Sequence, residues 1–291
     1  MSSVVLVLIT GLGVGALYFL VASGLSLIYG LMNVLNFAHG AFIALGALIG
    51  WEVAEHTDAA SWWSFLLSLV VGAVVGAAFA AFTELVLIRP LYQRHIEQVL
   101  VTVGLSFAAI ALFDGIWGQD LHSVKGPAWL DEVTVVAGAH IANIFWVLIV
   151  AAVLVLGGLS LFLRKTRYGK IIRAGVENRA MVTALGIDVR RAFTLVFSIG
   201  GAAAGLGGVL AMHYMTGVTP EIGSSLLIFA FIVIIIGGTE SLVGTAVASV
   251  IVAVLQQFAN TYLWGTGDFI AIVLLPIVLL LRPSGLFGKR A

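Results

Sequence analysis

The sequence predicts an all-α fold, a polytopic integral membrane helix bundle of about eight to nine transmembrane helices. Three observations predict it. Of 291 residues, 61% are hydrophobic and only 10% are charged, and the mean hydropathy is +1.15. Water-soluble domains average about 25% charged residues, so this chain has too few to coat a soluble core and its solvent is lipid. The apolar residues fall in stretches long enough to cross a bilayer, which takes roughly 20 residues at about 1.5 Å each. Finally, 13 of the 14 Lys and Arg are confined to three short segments between those stretches.

The first 51 residues are irregular. Val4 to Leu31 reads as an apolar helix, Asn33, Asn36 and His39 interrupt it, and Gly40 to Trp51 is apolar again. Twelve residues rise only about 18 Å, so the second piece is too short to cross alone. Two crossings with a broken helix near residues 32–40 are expected. The first Lys or Arg is Arg89; a cleavable signal would carry a basic n-region, so the opening stretch is expected to remain as a membrane helix. Further crossings are expected at about 62–88, 98–118, 141–163, 192–212, 222–238, 242–264 and 268–281.

The basic segments hold Arg89 and Arg94, then eight residues from Arg164 to Arg191, then Arg282, Lys289 and Arg290. Acidic residues such as Glu52, Asp58, Asp120 and Asp131 occupy the intervening loops. By the positive-inside rule the basic segments are cytoplasmic, which places the C-terminus inside and, for an odd number of crossings, the N-terminus outside. Glycine pairs four apart, Gly11/Gly15, Gly46/Gly50, Gly72/Gly76 and Gly201/Gly205, suit the close backbone approach that holds membrane helices together.

Two segments carry the functional reading. Asn33 to Gly40 puts polar side chains and a helix break at membrane depth. That is costly unless they face protein or a water-filled cavity, and transporters use broken helices to bind substrate. Gly40 would begin a half-helix whose N-terminus suits a carboxylate. A short interfacial turn capped by Asn36 and His39 is the alternative. Residues 164–191 form the largest basic segment, in which Val176 to Leu185 has helical composition and Gly186 is placed to end it; a short exposed helix there would be a docking surface for a cytoplasmic protein.

Catalysis is not indicated. There is no cysteine, no G-x-x-x-x-G-K-[ST] phosphate loop, no H-E-x-x-H, and no G-x-S-x-G. His39 has no second ligand at metal spacing, so neither metal nor cofactor is expected. With a formal net charge of zero, no nucleic-acid partner is expected either.

Asn36-Phe37-Ala38-His39-Gly40, the segment from Arg167-Tyr168-Gly169 through Ala184-Leu185-Gly186-Ile187, and the closing Arg282-Pro283-Ser284-Gly285-Leu286-Phe287-Gly288 together resemble the permeases of branched-chain amino acid ABC importers. The resemblance runs over nearly the whole chain. Two departures stand out: Glu177 is followed by Asn178 and Arg179 where many importers have Glu-Ala-Ala, and Glu240 replaces the third glycine of a Gly-Gly-x-Gly-Ser turn. The resemblance implies a single permease domain, residues 1–291, in the bacterial inner membrane. It also implies a second homologous permease, two ATP-binding subunits that hydrolyse ATP, and an extracytoplasmic solute-binding protein. It places Asn33, Asn36, Phe37, His39 and Gly40 on the substrate pathway, and Arg173, Glu177, Asn178, Ala184 and Gly186 at the ATPase interface. Branched-chain or other hydrophobic amino acids are the implied substrates. Urea or short amides, or an ion-coupled transporter or channel, are the alternatives.

Overall fold

A computed structural model describes residues 2–177 and 189–288. Among them six helices are long and apolar enough to cross a membrane, in a bundle of ten α-helices. In chain order these are α1 (Ser2–Met32), α2 (His39–Glu55), α3 (Trp62–Thr83), α4 (His95–Trp117), α5 (Ile144–Lys165), α6 (Arg167–Glu177), α7 (Val189–Met215), α8 (Ile222–Gly237), α9 (Leu242–Tyr262) and α10 (Gly267–Leu281). The chain is thus an all-α multi-pass membrane protein, as its composition predicts. The expected stretches match helices α3 to α5 and α7 to α10 to within a few residues.

The loops sort onto two faces. Arg89 and Arg94, the start of α6, the start of α7 and Arg282 follow or precede helix ends on one face, here called the basic face. Gly30, near the end of α1, lies there against the backbone of Thr239 and Glu240 in the α8–α9 turn. Two small antiparallel sheets mark the opposite face. β1 (His122–Ser123) pairs with β4 (Gly217–Val218), tying the α4–α5 connection to the α7–α8 connection. β2 (Val133–Val136) and β3 (Ala139–Ala142) form a hairpin. Its turn residues Ala137 and Gly138 both have positive φ, as a two-residue turn matching strand twist requires.

Close glycine contacts set the packing. The most extensive helix pairs are α3 with α7 and α1 with α9. Gly72 and Gly76 of α3 lie against the backbone of Gly205 and Gly201 of α7, Gly46 of α2 joins the same contact at Gly205, and Gly11 and Gly15 of α1 lie on Val254 and Val250 of α9. A Cβ at most of these positions would collide with backbone atoms. Lipid gives no hydrophobic drive between helices, so dispersion across such close approaches holds the bundle together.

The C-terminal motif is a latch. Beyond α10, Leu286 and Phe287 donate their amides to Ile236 and Gly237 carbonyls at 2.8 and 3.1 Å, satisfying the end of α8. Gly238 makes this possible with φ 98°, in space that a Cβ would take from Gly288.

At the basic end of α3 the helix widens into a π-turn, Glu84–Ile88. Such turns cluster at functional sites. Glu84 is fully buried, with Arg89 at 3.4 Å, the Thr194 hydroxyl at 2.7 Å and the Tyr92 hydroxyl also donating to it. Arg89 in turn donates to Thr194 at 2.7 Å. The cluster pins α3 to the first turns of α7. Removing one partner of a buried ion pair costs about 3–5 kcal/mol. Glu84→Ala is therefore expected to lower the thermal unfolding midpoint in detergent clearly, whereas Glu97→Ala, in an exposed pair, should leave it nearly unchanged.

Candidate functional site

The broken helix is the site around which the bundle is organised. Helix α1 is 31 residues long, about 46 Å, and ends on the basic face. Asn33 turns the chain there with φ 53°. Residues 33–38 then run back along α1, and α2 begins at His39, one residue before the expected Gly40. Its depth is fixed by His39 Nε2, which donates to the Val21 carbonyl at 2.9 Å. Val21 lies eleven residues before the end of α1, or about 16 Å inward. The chain re-enters the bundle at Asn33, and the alternative of a short surface turn does not describe it.

Four of the five expected pathway residues are brought together there. Asn36 and His39 are fully buried, as is the neighbouring Ala38. Asn36 Oδ1 accepts the Ala38 amide at 3.1 Å and holds the carboxamide over the first turn of α2. Phe37 packs on Phe231 of α8 with ring centroids 5.1 Å apart. Gly40 lies on the backbone of Gly223. Asn33 stands apart, exposed at the turn on the basic face. Two buried polar atoms of this cluster have no hydrogen-bond partner: Asn36 Nδ2 and His39 Nδ1. Unsatisfied buried groups cost about 1–3 kcal/mol each; Ser68 Oγ, Asp114 Oδ1, Trp146 Nε1 and His213 Nε2 are likewise unpartnered among the described residues, but only Asn36 and His39 sit together at a helix break. Beside the cluster, toward the basic face, a cavity of about 190 Å³ is lined by Leu25, Tyr29, Leu35, Phe231, Ile234, Ile235 and Thr239, nearly all apolar.

A second interruption was not anticipated from sequence. Between α7 and α8 the chain turns at Thr216, φ 54°, and the following residues lead to Ile222, where α8 starts. Gly223 meets Gly40, while Gly207 of α7 packs on Val21. Helix α8 therefore starts at the depth of α2, about 12 Å short of the end of α7. Gly217, Pro220 and Gly223 were the available signal, but they read as an ordinary connection between two crossings.

The coupling residues divide. Helix α6 occupies Arg167–Glu177, earlier than the stretch with helical composition. Thr166 Oγ1 accepts the Gly169 amide at 3.0 Å, Ile172 is buried, and Arg173 is exposed. Glu177 is the last residue of this helix. Asn178, Ala184, Gly186 and most of Val176 to Leu185 lie outside the described residues. Glu240 is exposed in the α8–α9 turn on the basic face, away from the buried cluster.

One known family matches this chain over most of its length. The family described as branched-chain amino acid transport system, permease component, matches residues 7–280. The chain is 26% identical over 288 residues to the high-affinity branched-chain amino acid transport system permease protein LivH of Salmonella typhimurium, covering 96% of this chain and 94% of that one. It is 28% identical over 291 residues to the corresponding permease BraD of Pseudomonas aeruginosa, covering 97% and 95%. It is also 28% identical over 282 residues to a probable LivH of Methanocaldococcus jannaschii, covering 92% and 88%. No solved structure matches. The chain belongs to the branched-chain amino acid transport permease family.

Proposed function

We propose that this chain is the membrane-spanning, non-catalytic permease subunit of an ATP-driven importer for branched-chain or other hydrophobic amino acids, working by alternating access. The observation that carries this reading is the family match across residues 7–280. The buried polar cluster beside an apolar cavity supports it, because a hydrophobic zwitterion needs polar partners for its charged groups and apolar room for its side chain.

Orientation follows from charge. Arg89, Arg94, Arg164 to Arg173 and Arg282 share one face, which the positive-inside rule makes cytoplasmic. With α2 and α8 counted as the membrane portions of two re-entrant crossings, nine crossings put the N-terminus outside and the C-terminus inside the bacterial inner membrane. A single permease domain, 1–291, then presents α6 and the rest of 164–191 to the ATPases as its coupling loop. The sequence has no phosphate loop of its own, so two ATP-binding subunits supply the energy. A second homologous permease and an extracytoplasmic binding protein complete the importer. Asn36, Phe37, His39 and Gly40 line the path, with Asn33 at its cytoplasmic mouth; Arg173, Glu177, Asn178, Ala184 and Gly186 meet the ATPase. The Glu84 cluster joins the α3 end to the start of α7, directly after that loop, and suits the transfer of motion into the bundle.

ATP-dependent uptake of labelled leucine by vesicles holding the chain and its co-purifying partners tests the reading. Competition by valine is the expected result. Competition by urea or a short amide alone would change the substrate, and uptake by the chain alone on an ion gradient would overturn the permease reading. Within the assembled importer, Arg173→Glu is expected to reduce substrate-stimulated ATP hydrolysis at least fivefold while the bundle's unfolding midpoint stays unchanged. Wild-type hydrolysis in that variant would remove α6 from the coupling surface.

A further inference from the structure

The two interruptions correspond position for position. Asn33 and Thr216 each turn the chain with φ near 54°, a conformation rarely adopted by non-glycine residues and strained for a β-branched one. Six residues later each half-helix starts, at His39 and Ile222. The first amide of each bonds back three residues, His39 to the Asn36 carbonyl at 3.3 Å and Ile222 to that of Thr219 at 3.1 Å. One residue further on, Gly40 and Gly223 meet backbone to backbone, where a Cβ on Gly223 would collide with the Gly40 carbonyl and one on Gly40 would be tightly crowded. The surrounding contacts repeat as well: α1 on α9 matches α7 on α3, and the two units run in opposite directions through the bundle. This is the pattern of an inverted repeat, and broken helices at such an interface bind substrate in transporters.

The first turn of any helix leaves amides without intrahelical acceptors and carries partial positive charge. Here two such ends cross inside a bundle, where low dielectric strengthens them. The second observation is the pair of unpartnered polar atoms, both on fully buried residues. Their chemistry differs. Asn36 Nδ2 is a donor, held at the mouth of α2 by the Oδ1 bond to Ala38. The Val21 carbonyl can only accept, so His39 Nε2 carries a proton, and in the neutral tautomer this leaves Nδ1 as an acceptor. One turn thus offers a donor beside two helix N-termini and an acceptor three residues on.

We infer that the crossing of α2 and α8 binds the charged end of a zwitterionic α-amino acid, its carboxylate on Asn36 Nδ2 and the helix ends, its ammonium on His39 Nδ1. This rests on the amino-acid importer reading. Thr219, half-buried, is the positional counterpart of Asn36 before α8, three residues ahead of the half-helix. The aliphatic side chain would enter the adjoining cavity that Leu35 and Phe231 line. Asn33, exposed at the turn, binds nothing in the occluded complex.

The test uses the assembled importer in proteoliposomes, with labelled leucine as probe. Asn36→Asp keeps the oxygen that accepts the Ala38 amide but puts a like charge against the carboxylate. In a variant that co-purifies with its partners, leucine uptake is expected to fall at least tenfold. Wild-type uptake in that variant overturns the subsite. If Asn36→Asp does not assemble, Thr219→Asp decides by the same criterion, since it adds the charge from the α8 side and leaves the α2 turn intact. Failure of the wild-type importer to take up leucine would instead overturn the functional reading, before any variant is compared.

Discussion

A chain that breaks its helix inside a lipid-embedded bundle must satisfy the freed backbone within the protein, and the rest of this structure follows from that constraint. In hydrocarbon, irregular backbone is tolerated only where protein or a water-filled cavity surrounds it. Residues 33–38 meet the condition by lying against α1 and α8, with Asn36 and His39 bonding to the Ala38 amide and the Val21 carbonyl. The segment that leads to α8 is held at its outer end by the β1–β4 pairing. The two breaks then support one another through Gly40 and Gly223. A side chain on Gly223 would collide with the Gly40 carbonyl and one on Gly40 would be crowded, so the two breaks pack as one crossing rather than as two separate loops.

Around that crossing the bundle is built with few polar interactions. Glycine contacts bring α2 and α3 onto α7, and α1 onto α9, while Phe, Leu, Ile and Val side chains fill most of the remaining buried core. Polar groups are reserved for particular places. On the basic face the Glu84 cluster secures α3 to α7. Toward the opposite face, Tyr18 donates to Gln256 at 2.7 Å and Gln256 to Asp268 at 2.6 Å, linking α1, α9 and the start of α10. These networks are satisfied, whereas the Asn36–His39 turn keeps a donor and an acceptor unused. Satisfaction of the first network weighs against ion coupling through Glu84, whose carboxylate is already committed to Arg89, Thr194 and Tyr92.

Much of this was legible in the sequence, for a physical reason. Membrane spans are encoded by local composition, so most boundaries read from hydropathy lie within a few residues of the helices. The first break was legible because Asn33, Asn36 and His39 are conspicuous among apolar neighbours. The second was not, because Thr216 to Glu221 has the composition of any loop and its depth is set by a distant contact, Gly223 on Gly40. The π-turn at Glu84 depends on a hydrogen-bond pattern that no local residue choice announces. The β2–β3 hairpin turns on Ala137-Gly138 rather than the Asn-Gly or Asp-Gly that signals such turns. Of the candidate site, the sequence pointed to the break that buries Asn36 and His39 and leaves Asn33 exposed at its turn; the contribution of α8 required the fold.

The central claim is that the chain re-enters the bundle at Asn33 and that α2 begins inside it. Because the chain has no cysteine, single-cysteine labelling in oriented membrane vesicles with an impermeant maleimide tests it most directly. Asn33→Cys should react from the face carrying the basic loops, Glu55→Cys only from the opposite face, and Ala38→Cys from neither. Reaction of Ala38→Cys at the Asn33→Cys rate from the basic side would show an ordinary surface loop and contradict the account.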